Sequence, residues 1–199
     1  MSTAVLPENT ATPGTASASR RDTTGRWVID SDRTVVVTRV RALGIPVHGR
    51  FAGASGLIDV PRDITRSNVT VSVRSDTFET GSVARDRRAR GGAFLDAQAH
   101  PTLSFSADGL RPVMESLVTA DGDRPLWWLA GEVTARGVSR PVALALGVVR
   151  HHDDGDTLEF RATARVRRSE FGAVGKRALI GDVVDITVRG WAHREPAVG

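Results

Sequence analysis

Leu158-Glu159-Phe160-Arg161-Ala162-Thr163-Ala164-Arg165-Val166-Arg167 alternates apolar and polar residues over ten positions. A β-strand sends successive side chains to opposite faces, so this stretch reads as a long strand with one dry face and one wet face. Val69-Thr70-Val71-Ser72-Val73-Arg74 and Val184-Asp185-Ile186-Thr187-Val188-Arg189 repeat the pattern. Asp121-Gly122-Asp123 and Asp153-Asp154-Gly155-Asp156 separate neighbouring runs, and both residue types tolerate the positive φ of tight hairpins. Strands are predicted at 27–30, 33–42, 49–60, 68–75, 102–107, 112–119, 125–135, 141–150, 157–167 and 182–191. With the first two continuous, one pair merged, or both, this makes eight or nine. Strands joined by short turns form an antiparallel meander, and a long meander removes its exposed edges by closing on itself. The expected fold is all-β: an up-and-down antiparallel barrel of about eight strands, with one or two short helices. Such a barrel is filled by its own side chains or holds one small ligand.

Working outward, residues 1–25 are rich in Ser, Thr, Ala and Pro and poor in large apolar side chains. They cannot bury enough surface to offset ordering and read as a disordered tail. One domain is expected over 26–192, followed by a short tail at 193–199. Arg20-Arg21 is followed by Asp22-Thr23-Thr24-Gly25 rather than an apolar stretch, so it does not read as an export signal. The longest apolar run, Val142–Val149, is eight residues, against about 20 for a spanning helix. A soluble, cytoplasmic protein with no stable membrane insertion is expected.

The chain has no cysteine, which excludes disulfides and thiolate chemistry. Lys and Arg number 27 against 23 Asp and Glu, interspersed, with Lys176 the single lysine. Nucleic-acid binding calls for a concentrated basic face, and no such partner is expected.

Thr80 or Ser82 can cap a short helix running through Ala84 to Arg90 and ended by Gly91-Gly92; this segment reads as a lid or plug. Val142-Ala143-Leu144-Ala145-Leu146-Gly147-Val148 has large residues on one face and small ones on the other. Its small face reads either as the cavity wall or as packed against a second layer. Of Trp127 and Trp128, one is expected inside the barrel and the other outside.

No nucleophile elbow, phosphate-cradling loop or paired-carboxylate site is present, so no catalytic residue is assigned. His151-His152 with Asp153 and Asp154 reads as a solvated turn, and no metal site is assigned.

Further residues form a recognisable series. Trp27-Val28-Ile29-Asp30 and Gly49-Arg50-Phe51 are followed by Arg85-Asp86, Phe94-Leu95-Asp96 and His100-Pro101-Thr102-Leu103-Ser104-Phe105. Then come Gly131-Glu132-Val133-Thr134, Arg136-Gly137-Val138-Ser139-Arg140-Pro141-Val142, Arg168-Ser169-Glu170-Phe171-Gly172 and Ile180-Gly181-Asp182-Val183-Val184-Asp185-Ile186. In order and spacing this series resembles the YceI-like family over about residues 26–191. The resemblance implies an extended, lipocalin-like barrel that binds a polyisoprenoid or isoprenoid quinone, often as a homodimer. The chain departs from the family pattern at Arg33-Thr34, where a His-Ser pair is usual, at Thr38 (usually Phe), Ala42 (usually His) and His100 (usually aromatic).

The expected function is therefore a non-catalytic carrier or sequestering protein for a long apolar ligand, with no other cofactor. The alternative is an interaction module whose barrel is filled. The candidate ligand wall comprises Phe51, Phe78, Phe94, Leu103, Phe105, Val133, Leu144, Phe160 and Phe171, residues that equally suit a packed core. Arg85 and Asp86 are candidates to bind a headgroup or to fix the lid. Arg168 is expected to anchor a strand end.

Overall fold

The computed structural model describes residues 23–112, 127–176 and 178–196. Their strands are β1 (Gly25–Ile29), β2 (Val35–Ala42), β3 (Ile45–Ala52), β4 (Ser55–Val60), β5 (Asn68–Arg74), β6 (Thr102–Pro112), β7 (Trp127–Ala135), β8 (Val138–His151), β9 (Thr157–Arg167) and β10 (Ile180–Arg194). One α-helix, α1 (Val83–Arg90), lies between β5 and β6. All pairings are antiparallel. The order is β1-β4-β5-β6-β7-β8-β9-β10-β2-β3, and a β1–β10 pairing closes the ring. Because β1 runs on into β2 and β3 into β4, the ten segments form one bent hairpin and six further strands, a closed eight-stranded barrel.

The hairpins turn as their residues allow. Leu43-Gly44 and Arg136-Gly137 each place two consecutive residues at positive φ (51° and 81°; 53° and 70°), the backbone of the two-residue turn whose twist suits a hairpin. The expected continuous strand at 49–60 is instead broken between Ala52 and Ser55. Gly53 adopts φ 71°, which ends the extended run, and Ala54 is buried at the kink. The lower half of the hairpin, β1 and β4, joins the closed ring. In the upper half, β3 pairs with β2, and its other edge holds an isolated bridge between Arg50 and Glu79. The expected strand at 112–119 and turn at 121–123 fall largely on residues 113–126, outside the described residues; β6 itself extends to Pro112.

Along β9, Leu158, Phe160, Ala162, Ala164 and Val166 point into the barrel, as their alternation requires. On the outside, Asp185 of β10 lies opposite Arg39 of β2 and Arg165 of β9. Arg165 Nε donates to its carboxylate at 2.8 Å and Arg39 Nη2 at 3.0 Å. Burial pushes the Asp185 carboxyl up, but the two guanidinium groups outweigh it and hold it below the usual carboxylate range.

Two apolar clusters stand at different heights. Trp27, Leu158 and Ala192, with Ile58, Val60 and Phe160 against them, occupy the end formed by the start of β1 and the end of β10. Phe51, Ala54 and Val73, with Phe78, Leu95 and Leu103 among their neighbours, lie toward the end that carries α1.

Candidate functional site: an apolar cavity in the barrel

Between the clusters the barrel is hollow. A cavity of about 1010 Å³ is walled by inward side chains of every strand and by residues of the β5–β6 segment. Phe51, Phe78, Phe94, Leu103, Phe105, Val133, Leu144, Phe160 and Phe171 all line it, as does Arg85. A barrel filled by its own side chains is thus not what the sequence folds into.

Asp86 stands apart from the wall. Its Oδ1 accepts from the backbone N–H and the hydroxyl of Thr80, each at 2.7 Å. The Thr80 hydroxyl hydrogen bond, above all, holds the Asp86 carboxyl below its ordinary range. Arg85 donates to the Thr80 Oγ1 and carbonyl at 3.2 and 3.3 Å. Of the two roles expected for this pair, the geometry shows the fixing of the lid segment. Ser82 stands at the helix N-cap position without a side-chain cap bond, and Gly91 follows the last turn.

Other arginines hold the same segment down. Arg90 Nε donates to the Phe78 carbonyl at 2.8 Å, and Arg136 Nη1 to the Gly92 and Phe94 carbonyls at 2.8 and 2.9 Å. Buried Arg168 gives Nε to Gly181 O at 2.8 Å, Nη2 to Ile180 O at 2.7 Å and Nη1 to Ala173 O, with its guanidinium 5.7 Å from the Phe94 ring centre. It anchors the β9–β10 loop, as expected. Phe78 reaches across β3 because Gly49 has no side chain: a Cβ there would lie 2.2 Å from the ring.

Sequence reading misplaced one feature and left another open. His151 is no solvated turn residue: it ends β8 and lines the cavity, its ring 6.0 Å from that of Trp27 and edge-on to it. The cause is a register shift between Leu146 and Val148. It resets the alternation, so Leu144 and Leu146 before it and Val149 and His151 after it all face inward. On the same strand the large residues, not the small ones, form the wall. Ala145 is buried on the other face, opposite Trp128 in the register, while Trp127 lines the cavity.

The cavity also takes in Arg88, Arg136, Arg168 and Thr38, which had not been assigned to it, together with Ala42. Among the described residues no Asp or Glu lines it. Thr38 and Ala42 are two of the departures from the YceI-like pattern, and both put a smaller side chain on the wall. At Thr34, a third departure, the hydroxyl is buried against the backbone of Trp191.

At the opposite end, Trp27 is fully buried under the Arg194 guanidinium, 4.4 Å from the ring centre, and its Nε1 donates to Thr23 O at 2.9 Å. His193 Nε2 lies 3.1 Å from Asp30 Oδ2, and its Nδ1 lies 3.3 Å from Thr157 Oγ1. This chain ties the first strand to the last.

A closed antiparallel barrel with an apolar chamber and an inserted lid segment defines a lipocalin-like barrel of the extended kind. The chain belongs to the YceI-like domain family, whose model matches residues 27–192. It is 26% identical over 139 residues to a UPF0312 protein of Pseudomonas aeruginosa, covering 67% of this chain and 68% of that one. It is 23% identical over 155 residues to protein YceI of Escherichia coli O157:H7, covering 75% and 76%. Among solved structures it is similar to Burkholderia cenocepacia BcnA (TM-score 0.68, 17% identity, 82% of this chain and 98% of that one). It is also similar to a polyisoprenoid-binding domain from Saccharophagus degradans implicated in plant cell wall breakdown (TM-score 0.65, 11% identity, 85% and 98%).

Proposed function

We propose that the protein is a non-catalytic carrier or sequestering protein that encloses a long apolar chain, isoprenoid in kind, inside the barrel. The observation that carries this reading is the cavity of about 1010 Å³ with a predominantly aliphatic and aromatic wall. Its volume stands at the upper end of the range for sites of drug-sized ligands. Each methylene moved from water into such a wall is worth about 0.8 kcal/mol, so a five-carbon unit contributes a few kcal/mol before ordering costs. Two or three units reach the roughly 8 kcal/mol of micromolar binding. The polyisoprenoid-binding description of the Saccharophagus degradans neighbour supports the same class of guest.

Gentle purification followed by organic extraction and mass spectrometry tests the reading. A co-purifying isoprenoid, or uptake of isoprenoid quinones or prenols by the emptied protein, is the expected result. Ala162 faces the cavity from the middle of β9, so Ala162→Trp should block uptake while the barrel still folds. A protein that emerges empty and takes up neither class of compound would overturn the proposal.

A further inference from the structure

The barrel carries its most exposed apolar side chains and its basic helix at the same end, while Val28, Leu57 and Val149, less exposed, lie toward the other. Strand directions put the β2–β3 turn, the β5–β6 segment with α1, the β7–β8 turn and the β9–β10 loop at one end. At that end Leu43 is 73% exposed, Ile45 66% and Val83 77%, and Val174 and Leu179 are exposed as well. These residues belong to connected pieces. Leu43 N donates to Leu179 O at 2.8 Å, and Gly175 N to Ala93 O at 3.0 Å, so the β9–β10 loop links the hairpin tip to the segment carrying α1.

Cations surround this apolar rim. The eight residues of α1 include Arg85, Arg87, Arg88 and Arg90 against Asp86, and none of the eight is buried. Arg41 stands beside the hairpin tip, and exposed Lys176 lies in the β9–β10 loop. Several acids at this end are already engaged: Asp86 with Thr80, Asp182 with Ser169, Glu79 with Arg50 and Asp76 with Arg74. Exposed Glu170 is the counterweight. The opposite end is more evenly charged: Asp59, Asp63, Asp108, Asp153, Asp154, Asp156 and Glu195 stand there with Arg26, Arg62, Arg66, Arg111, Arg150 and Arg194, and Arg26–Asp59 and Arg194–Asp156 are ion pairs. The cavity wall, which also reaches Thr23 and Ile64 at the far end, extends at this end to Ala42 and Val47 beside the hairpin tip and to exposed Arg85 and Arg88 on α1, so a mouth at this end lies within the basic, apolar rim.

We propose that this end is a docking surface for an anionic lipid bilayer, with Leu43, Ile45, Val83, Val174 and Leu179 dipping into the interface and the exposed Arg85, Arg87 and Arg88 of α1 and Lys176 facing lipid phosphates. Aliphatic side chains ringed by Arg and Lys are what a peripheral membrane contact requires, since apolar burial and attraction to anionic headgroups add. Docked this way, the mouth faces the membrane. The inference goes beyond the carrier reading and is tested without any carried ligand.

The full chain is mixed with vesicles of phosphatidylcholine alone or phosphatidylcholine with phosphatidylglycerol, and binding is read by co-sedimentation. Binding to the anionic vesicles, weakened by salt and at least tenfold weaker on the neutral ones, is expected. Each basic residue near an anionic surface is worth about 1 kcal/mol, or roughly fivefold. Arg87→Glu with Lys176→Glu should therefore reduce binding more than tenfold, and Leu43→Ser with Ile45→Ser by about tenfold. Val28→Ser with Leu57→Ser, toward the other end, should leave binding within about twofold. Thermal unfolding of each variant separates lost docking from lost folding. No wild-type binding to anionic vesicles, equal binding to both compositions, or an equal loss in the Val28 and Leu57 variant would overturn the proposal, whatever the extraction experiment finds in the barrel.

Discussion

The two ends of this barrel are sealed by different means. At the end where β1 meets β10, strand pairing completes the ring, and buried Trp27 packs with Leu158 and Ala192 across the interior. At the other end the outer edge of β3 has an isolated bridge to Glu79, and the closure is an inserted segment held by arginine-to-carbonyl hydrogen bonds. One end is shut by packing and backbone ladder; at the other, Phe78 and Leu95 of the inserted segment pack on Phe51, Ala54 and Val73, and polar fastenings hold down a segment whose short basic helix has no buried residue. On the carrier reading a guest would enter at the α1 end, because local opening starts where buried contacts are few, and α1 has no buried residue.

The largest test of that contrast is Trp27→Ala. Removing a fully buried indole should cost about 3–5 kcal/mol, read as a lower urea midpoint; a loss below about 1 kcal/mol would mean that the packed end is not the anchor. Next is Arg168→Met, which leaves one carbonyl of the β9–β10 loop, that of Ala173, and two at the start of β10, those of Ile180 and Gly181, without their donor. A loss of roughly 2 kcal/mol is expected, with faster amide exchange in the loop and unchanged exchange around Trp27. Should exchange rise equally at both ends, the fastenings are not local.

Acid gives the smallest effects and separates the ends again. The His193 hydrogen bond, helped by the Arg33 and Asp32 amides, holds the Asp30 carboxyl below its ordinary range. Its contribution is therefore complete above the usual carboxylate range and is lost as pH falls through the lowered value. With His193 about half exposed (49%), that contribution is at most about 1 kcal/mol, and Asp30→Asn should remove this part of the acid dependence measured by urea unfolding. Asp86 is lowered in the same direction, chiefly by Thr80. Acidification should thus release Thr80 and speed amide exchange in α1, an effect that Asp86→Asn would reproduce at neutral pH. Unchanged α1 exchange in that variant would show that the carboxylate does not fasten the lid.

Much of this architecture is written in alternation. The period of two along β5, β9 and β10 gave the inward face of each strand, but of the six Phe on the wall only Phe160 lies on one of these strands. What alternation does not carry is a change of phase. The shift beside Gly147 turned His151 inward, and the left-handed Gly53 divided one expected strand into two. Nor does a charged residue announce that it faces a cavity. Arg88 and Arg136 come to the wall because the inserted segment folds back over the barrel end, a long-range fact with no local signal. Arg168 was legible because it falls where the alternation of β9 ends, just before Glu170-Phe171-Gly172, where a guanidinium can donate to loop carbonyls.

The bridge between Arg50 and Glu79 has one more consequence. Because the upper edge of β3 meets the inserted segment rather than another long strand, residues 75–101 can change in length and composition without disturbing the ring of paired strands. The scaffold and its inserted segment are free to diverge separately, so on the carrier reading the choice of passenger could be retuned by rewriting a single stretch of chain.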